Sequence, residues 1–555
     1  MQSSLLPAAI HMKLDRMSRN FIWGTEPEHR RIHLVSWDKV TKGKKNGGLG
    51  LKSSKESNIV AMSKLNWRLH KEKDKRWSEL YRKKYNISNP HMVPTRSGSP
   101  SWKAIGKGYE LFINNIKWLP RTGRKISFWN DCWVGSSPLS ATVFGPHNAN
   151  FANITVEEYF QAAGEAPNLI NYDLPSNILA IIQATPISLS STKDDGFAWK
   201  NSPDGEFSAA LAYQSLKDPT MSADNNWKWV WKAPTLPKIQ HFIWLLTDRR
   251  LKCFDFLNKL GICASASCPR CQVGDETVEH LVRMCPISSQ ILGSLLPGIS
   301  TTQQQQLEFV EWLHFNIQCS EKSNILNIPR NVVFCFAIWG IWLHRNQLIH
   351  STHPYPIISA SKLIVERAAE YYSTVPYKRQ NQRPTSMYKW IKPPPSFLKL
   401  NTDGSAIDNP GKVARGGLIR DSWGNWILGF SRRIGWSSIL LAELWAIRDG
   451  LQLAVSRNLS HLLIETDSLT AVNLLSKEPI ENHPLSSLVF DCRDLLRCTP
   501  HVKISHAMRE SNMAADILAK VGHGMSEDFV VFESIPHPVM NACIADMVGV
   551  EFPRT

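Results

Sequence analysis

The chain of 555 residues lacks a long apolar run: the longest, "VVFCFAIWGIWL" from Val332 to Leu343, has twelve residues, against the roughly twenty that a membrane span requires. It reads as a buried helix, with no membrane partner. Cysteine is sparse, eleven in all, an odd number without a small-domain disulfide pattern. The first residues, "MQSSLLPAAIHMKL", have no basic segment ahead of their short apolar stretch. Neither a secretory signal nor a disulfide framework is indicated, and the expectation is an intracellular protein in a reducing compartment, nuclear or cytoplasmic. Acidic residues are scarce at one end. Residues 1–135 hold 27 Lys and Arg against 10 Asp and Glu, a surplus of 17 beside 16 for the whole chain, so everything downstream is near neutral. With 43% hydrophobic and 20% charged residues, what remains is ordinary folded protein, long enough for about three or four domains.

The basic block contains "KGKK" at 42–45, "KEKDKR" at 71–76 and "RKK" at 82–84, clusters that attract a polyanion such as a phosphate backbone. Interspersed acids also suit a merely solvated face. Its eight tryptophans, Trp23, Trp37, Trp67 and Trp129 among them, offer rings for base stacking, although tryptophan more often belongs to the core or its edge. Breaks in pattern mark the organisation: "TRSGSPS" at 95–101 interrupts the basic block, "KDDGFAWKNSPDGEFSAALAYQSL" reads as a hairpin feeding a helix, and the proline-rich, polar stretch 374–396 reads as a linker.

After that linker the order is strand, strand, strand, helix, strand, helix, helix, strand, helix. "FLKLNTD", "ARGGLIRD" and "NWILGFSRR" are strand-like, and Leu440, Leu441, Leu444, Ile447, Leu451 and Val455 recur at helical spacing. Three strands with short turns make an antiparallel meander; the helix then allows a crossover that lays the fourth strand parallel to the first. Asp403 and Asp467 fall near one end of neighbouring strands, Glu443 lies on the crossover helix and Asp516 on the last helix. Taken singly, each acid suits a turn, a cap or a helix surface. Together they form a set that repels itself unless a cation intervenes, and hard oxygen ligands with room for water and phosphate suit Mg²⁺.

In order and spacing, "LNTDGSAIDNPG", "LLAELWAI", "LIETDS" and "SHAMRESNMAADILAK" resemble the type 1 ribonuclease H domain. The resemblance implies that Asp403, Glu443, Asp467 and Asp516 hold two Mg²⁺ (or Mn²⁺) ions, that His506 assists water attack or product release, and that Asn409 contacts the minor groove of an RNA·DNA hybrid. One departure stands out. Between Asp467 and His506 the chain carries Arg493, Arg497 and little other positive charge, so the basic protrusion of some bacterial members is missing; residues 397–522 balance 14 basic against 13 acidic side chains. Substrate grip then falls to other parts of the chain.

A second set lies mid-chain. Cys268 and Cys271 form C-x2-C on one turn, followed by His280 and Cys285 in an H-x4-C spacing expected on a helix, "ETVEHLVRMC". Four Cys and His ligands with no open position describe one structural Zn²⁺, with Cys253 and Cys263 as nearby spares. With "APTLPKIQHFIWLLTDRRLKCFDFLNKLGI", these residues resemble the zinc-binding domain downstream of the polymerase in plant non-LTR retrotransposon reverse transcriptases, and "RRIHLVSWDKV", "KISFWNDCWVG" and "WGIWLHRN" resemble neighbouring segments of the same elements. No aromatic-x-Asp-Asp polymerase loop occurs; Asp194 and Asp195 sit in a polar turn, "STKDDGF".

The sequence thus predicts a multidomain, mixed fold with mostly helical N-terminal and middle parts, a zinc module, and then an α/β (α+β mixed-sheet) ribonuclease H-like domain. The expected segments are 1–135 basic, 190–290 zinc-binding, 291–373 helical connector, 374–396 linker, 397–522 ribonuclease H-like and 523–555 tail. The expected function is Mg²⁺-dependent endonucleolytic hydrolysis of the RNA strand of RNA·DNA hybrids, without polymerase activity on this chain. Expected partners are hybrid, RNA and a separate reverse transcriptase. The alternative is a non-catalytic nucleic-acid-binding remnant of such an element.

Overall fold

The computed structural model describes residues 4–554 except 27, 30, 89, 93, 95, 96, 136, 143–153, 166–173, 186, 188–193, 218–226, 300, 301, 354, 355, 375–386, 478–481 and 526–528. The chain forms two compact units, each assembled from two separated stretches: essentially 5–58 with 217–381, and 59–216 with 382–555. Residues 1–135 are therefore no domain of their own but are shared between both.

The first of these units is helical. The apolar run 332–343 lies inside the helix Arg330–His350, which is long and apolar enough in composition to cross a membrane. It is nonetheless a core helix, as expected. Val332 to Ile338 are all buried among apolar residues of the helices Pro237–Thr247, Phe309–Gln318 and Ile357–Thr374. The last of these approaches closely at Gly340, where a Cβ would stand 2.3 Å from Ile364 Cγ1.

In the other unit, β1 (Ile116–Leu119) pairs antiparallel with β2 (Gly196–Trp199). The expected hairpin before residue 209 is thus replaced by pairing with a strand far upstream. Asp195, just before β2, accepts hydrogen bonds from the backbone N–H groups of Arg121, Thr122, Gly123 and Lys125 at 2.8–3.0 Å, so this aspartate is a loop staple. Of the eight tryptophans in residues 1–135, Trp67, Trp102, Trp118, Trp129 and Trp133 are buried and Trp23, Trp37 and Trp77 half-buried. That decides for the core rather than for a stacking surface.

The C-terminal part of this unit carries a six-stranded sheet. β3 (Met387–Tyr388) stands apart from it; the sheet uses β4 (Leu398–Asp408), β5 (Gly411–Arg420), β6 (Trp426–Ser437), β7 (Leu462–Thr466), β8 (Lys503–His506) and β9 (Phe529–Phe532) in the order β8-β7-β4-β5-β6-β9. β4, β5 and β6 are the predicted antiparallel meander. The crossover helix Ile439–Ser456 is capped by Ser438, whose Oγ accepts from Leu441 N–H. It buries Leu441, Leu444, Ile447 and Leu451 on the sheet and delivers β7 parallel to β4.

Residues 523–555, read as a tail, are instead part of this fold. β9 extends the sheet along β6, the helix Met540–Val548 packs Ala542 and Cys543 into a core with Leu518, and β10 (Phe552–Pro553) pairs with β3. Within the predicted linker, 375–386 lies outside the described residues, whereas Trp390 is buried and donates to Asn401 Oδ1 at 2.9 Å.

Candidate metal centres

The register of β4 and β7 builds the first centre. Thr402 pairs with Thr466 in the parallel ladder, so Asp403 and Asp467, each one residue further on, stand side by side where that ladder stops, β7 ending at Thr466 while β4 runs on to Asp408. Glu443 comes from the second turn of the crossover helix, which can lie this close to β4 because residue 404 is glycine: a Cβ there would meet Glu443 N at 2.6 Å. Carboxylate oxygens of Asp403, Glu443 and Asp467 all lie within 4.8 Å of one another, and Glu443 and Asp467 line an open cleft of about 280 Å³ with Ile439, Leu440, Ser468 and Thr470.

Electrostatically the trio is strained. Burial, followed by repulsion from Glu443, Asp467 and Asp516, raises the Asp403 carboxyl well above the ordinary range. Burial and then Asp467 push Glu443 up to about 8, although Thr466 Oγ1 donates to it at 3.2 Å. Such a cluster fits a hard divalent cation, which removes the repulsion.

The fourth predicted acid behaves differently. Asp516 is outside the converging trio and is held by Lys520 at 2.6 Å and Arg509 at 3.4 Å. His506 Nε2 lies 3.1 Å from the backbone carbonyl of Asp467, an oxygen that only accepts, so Nε2 carries the proton in this arrangement. Asn409 is exposed, and its Oδ1 accepts from Ile439 N–H at 3.3 Å at the start of the crossover helix.

The second centre joins Cys268, Cys271, His280 and Cys285, whose donor atoms likewise lie within 4.8 Å of one another, with Cys271 Sγ 3.3 Å from His280 Nε2. The first pair sits on a turn closed by Cys268 N–H to Gly274 O and Gln272 N–H to Cys268 O. The second pair is not on an α-helix, as the sequence suggests, but spans the π-helical turn His280–Met284, in which Cys285 N–H reaches His280 O at 2.7 Å. That wider turn brings residues five apart onto one side. Although burial pushes the Cys271 thiol up, backbone N–H groups of Val273 and Gly274 and the neighbouring thiols hold it below its ordinary value, in line with a thiolate ligand. Cys253 and Cys263 are outside the cluster; Cys263 bonds instead to the carbonyls of Phe254 and Ser265.

Sequence reading misses what anchors this module. Glu276, fully buried, receives both Nε and Nη2 of Arg345 and also Phe254 N–H at 2.9 Å. The signal was a charged residue in the apolar-flanked "WLHRN", since a buried arginine demands a carboxylate.

Two outcomes follow. Cys271→Ser should release about one equivalent of zinc and unfold the segment around it, because a structural metal contributes folding free energy where the local core is small; full zinc content by elemental analysis in this variant would refute the assignment. Second, the folded protein without divalent metal keeps a proton on Glu443 up to about pH 8, whereas the unfolded chain releases it near 4.5. The folded state then binds more protons across that window, so its stability falls as pH rises through it. Melting temperature should decline between those limits, less steeply in Glu443→Gln, and saturating Mg²⁺ should reverse the loss at the upper end; a flat profile would contradict the crowded-carboxylate picture.

Two family models match parts of the chain. Residues 401–522 match the family model "Reverse transcriptase-like" and residues 207–291 match "zinc-binding in reverse transcriptase". A protein of Arabidopsis thaliana, named as a candidate ribonuclease H protein, is 30% identical over 568 aligned positions, covering 100% of this chain and 91% of its own length. An uncharacterized mitochondrial protein of the same plant is 27% identical over 125 residues, 22% of this chain and 81% of its own. Among solved structures, RNase H1 of Halobacterium salinarum NRC-1 is 23% identical, covering 23% of this chain and 97% of that one at a TM-score of 0.22. LC11-RNase H1 in complex with RNA/DNA hybrid is 23% identical over 22% of this chain and 94% of that one, at a TM-score of 0.20. With its matched zinc-binding and reverse transcriptase-like regions and a relative aligned along its whole length, the chain belongs to the ribonuclease H family of reverse transcriptase-like proteins.

Proposed function

We propose that the chain is a metal-dependent endonuclease that hydrolyses the RNA strand of RNA·DNA hybrids. The observation that carries this reading is the convergence of Asp403, Glu443 and Asp467 where β7 ends beside β4. Bound there, two Mg²⁺ or Mn²⁺ ions would activate the attacking water and stabilise the leaving oxygen. Asp403, Glu443 and Asp467 supply the ligand oxygens, and Asp516 is the fourth once it leaves Lys520 and Arg509. His506, exposed beside Asp467, is placed to move a proton at its ring nitrogen. Asn409, exposed in the turn between β4 and β5 beside the start of the crossover helix, is the minor-groove contact. The Cys268, Cys271, His280 and Cys285 set holds a structural Zn²⁺ rather than a catalytic one, because it leaves no position for water.

Backbone affinity would come from outside the nearly neutral ribonuclease H-like domain. Exposed basic residues at Lys73, Lys75, Arg76, Lys83 and Lys84 suit phosphate contacts whose strength falls with salt. The reading also supports descent from a retrotransposon whose polymerase is a separate partner. In purified full-length protein, Mg²⁺ or Mn²⁺ should support cleavage of a labelled hybrid, and Asp403→Asn should reduce it at least about a thousandfold while melting no lower than wild type, since one repelling charge is gone. Equal cleavage by this variant, or by wild type in excess chelator, would overturn the reading.

A further inference from the structure

A second cavity lies on the other side of the crossover helix. It encloses about 440 Å³ between the β1–β2 ribbon and the start of that helix, with walls from Trp118, Trp199, Trp436 and Leu441. Its polar groups are one-sided. Lys117 and Lys200 both line it, and none of the described lining residues is acidic. Lys200 donates to the Asn114 carbonyl at 2.7 Å. Lys117 is half-buried and has no hydrogen-bond or ion-pair partner among the described residues; burial, opposed by Cys132 and reinforced by Lys200, presses its pKa below the ordinary lysine value. Two ammonium groups lining one cavity that has no carboxylate among its described walls favour an anionic ligand. Trp436, the exposed aromatic wall at 38%, together with two cations matches the two halves of a nucleotide, a base to stack and a phosphate to neutralise.

The position narrows the occupant. Leu441 walls this cavity and Glu443 belongs to the carboxylate cluster, two residues apart on one helix, a rise of about 3 Å. Trp436 and Ser437, which also line the cavity, sit at the end of β6 just before that helix begins. A paired hybrid is too wide to enter 440 Å³, whereas a single unstacked nucleotide fits.

We propose that this cavity receives an unpaired nucleotide of a strand that continues beyond the hybrid held at the carboxylate cluster, so that the chain favours hybrids with a single-stranded extension over blunt ones. This rests on the hybrid-nuclease reading for its geometry, and it is tested by binding so that the two can fail separately. Full-length protein carrying Asp403→Asn, which prevents turnover, is titrated in Mg²⁺ with fluorescently labelled blunt hybrid and with hybrids bearing an RNA or a DNA extension, read by anisotropy. Extension should tighten binding by about tenfold, as expected for stacking one base. Comparing the RNA and DNA arms shows which strand enters. Adding Lys117→Met should abolish the preference and leave blunt-hybrid affinity unchanged. Trp436→Ala, at a partly exposed wall, should weaken the preference without touching the lysine. Equal affinity for blunt and extended hybrids, or a preference that survives both variants, would overturn the proposal. Loss of hybrid cleavage in wild type alongside a persistent extension preference would instead sink only the nuclease reading.

Discussion

The close seating of the crossover helix on β4 is the constraint on which the carboxylate centre depends. It exists because residue 404 has no side chain: any Cβ there would lie 2.6 Å from the backbone nitrogen of Glu443, a separation that would push the helix outward. Seated this way, the helix places Glu443 beside Asp403 and Asp467, where burial and then mutual repulsion raise the pKa values of Asp403 and Glu443. Local geometry is thus what turns three scattered acids into a cation site, and their poor company without a cation is part of the same design.

A buried polar network behind the centre holds the acid-bearing elements in mutual register. Asn512, at the start of the last predicted helix, donates to Thr402 O at 2.9 Å, and its Oδ1 receives Asn401 at 3.2 Å. Asn401 also reaches Glu465, which Lys399 pairs at 2.6 Å. Through these contacts β4, β7 and the Asp516 helix are tied one or a few residues away from Asp403, Asp467 and Asp516. Arg420 joins the network to the C-terminal helix: it donates to Asn401 and to Asp546 while stacking over Trp390 at 3.7 Å. Residues far from the acids in sequence therefore fix their positions, as satisfied buried polar networks do.

Much of this was legible in the sequence, because periodicity and spacing are local. The meander, the crossover and the four-ligand cysteine and histidine set follow from patterns within a few tens of residues, and the acids were recognised by their place in that order. What escaped depends on long-range pairing. Nothing near Gly196–Trp199 says that it joins Ile116–Leu119, and nothing near Asp546 names Arg420 as its partner. Arg415 is a further case: it lies in the strand-like "ARGGLIRD" and is buried against Asp449 at 2.6 Å with Trp445 beside it. Charge count likewise suggested one basic domain in residues 1–135, where folding instead divides the segment between two cores. Asp516, assigned by spacing, shows the converse: its place on the last helix was readable, but its ion pairs with Lys520 and Arg509 were not.

The most direct test of the central claim is anomalous diffraction from crystals of the full chain grown with saturating Mn²⁺. The account predicts metal density among the carboxylate oxygens of Asp403, Glu443 and Asp467. Well-ordered carboxylates with no metal density between them would contradict it.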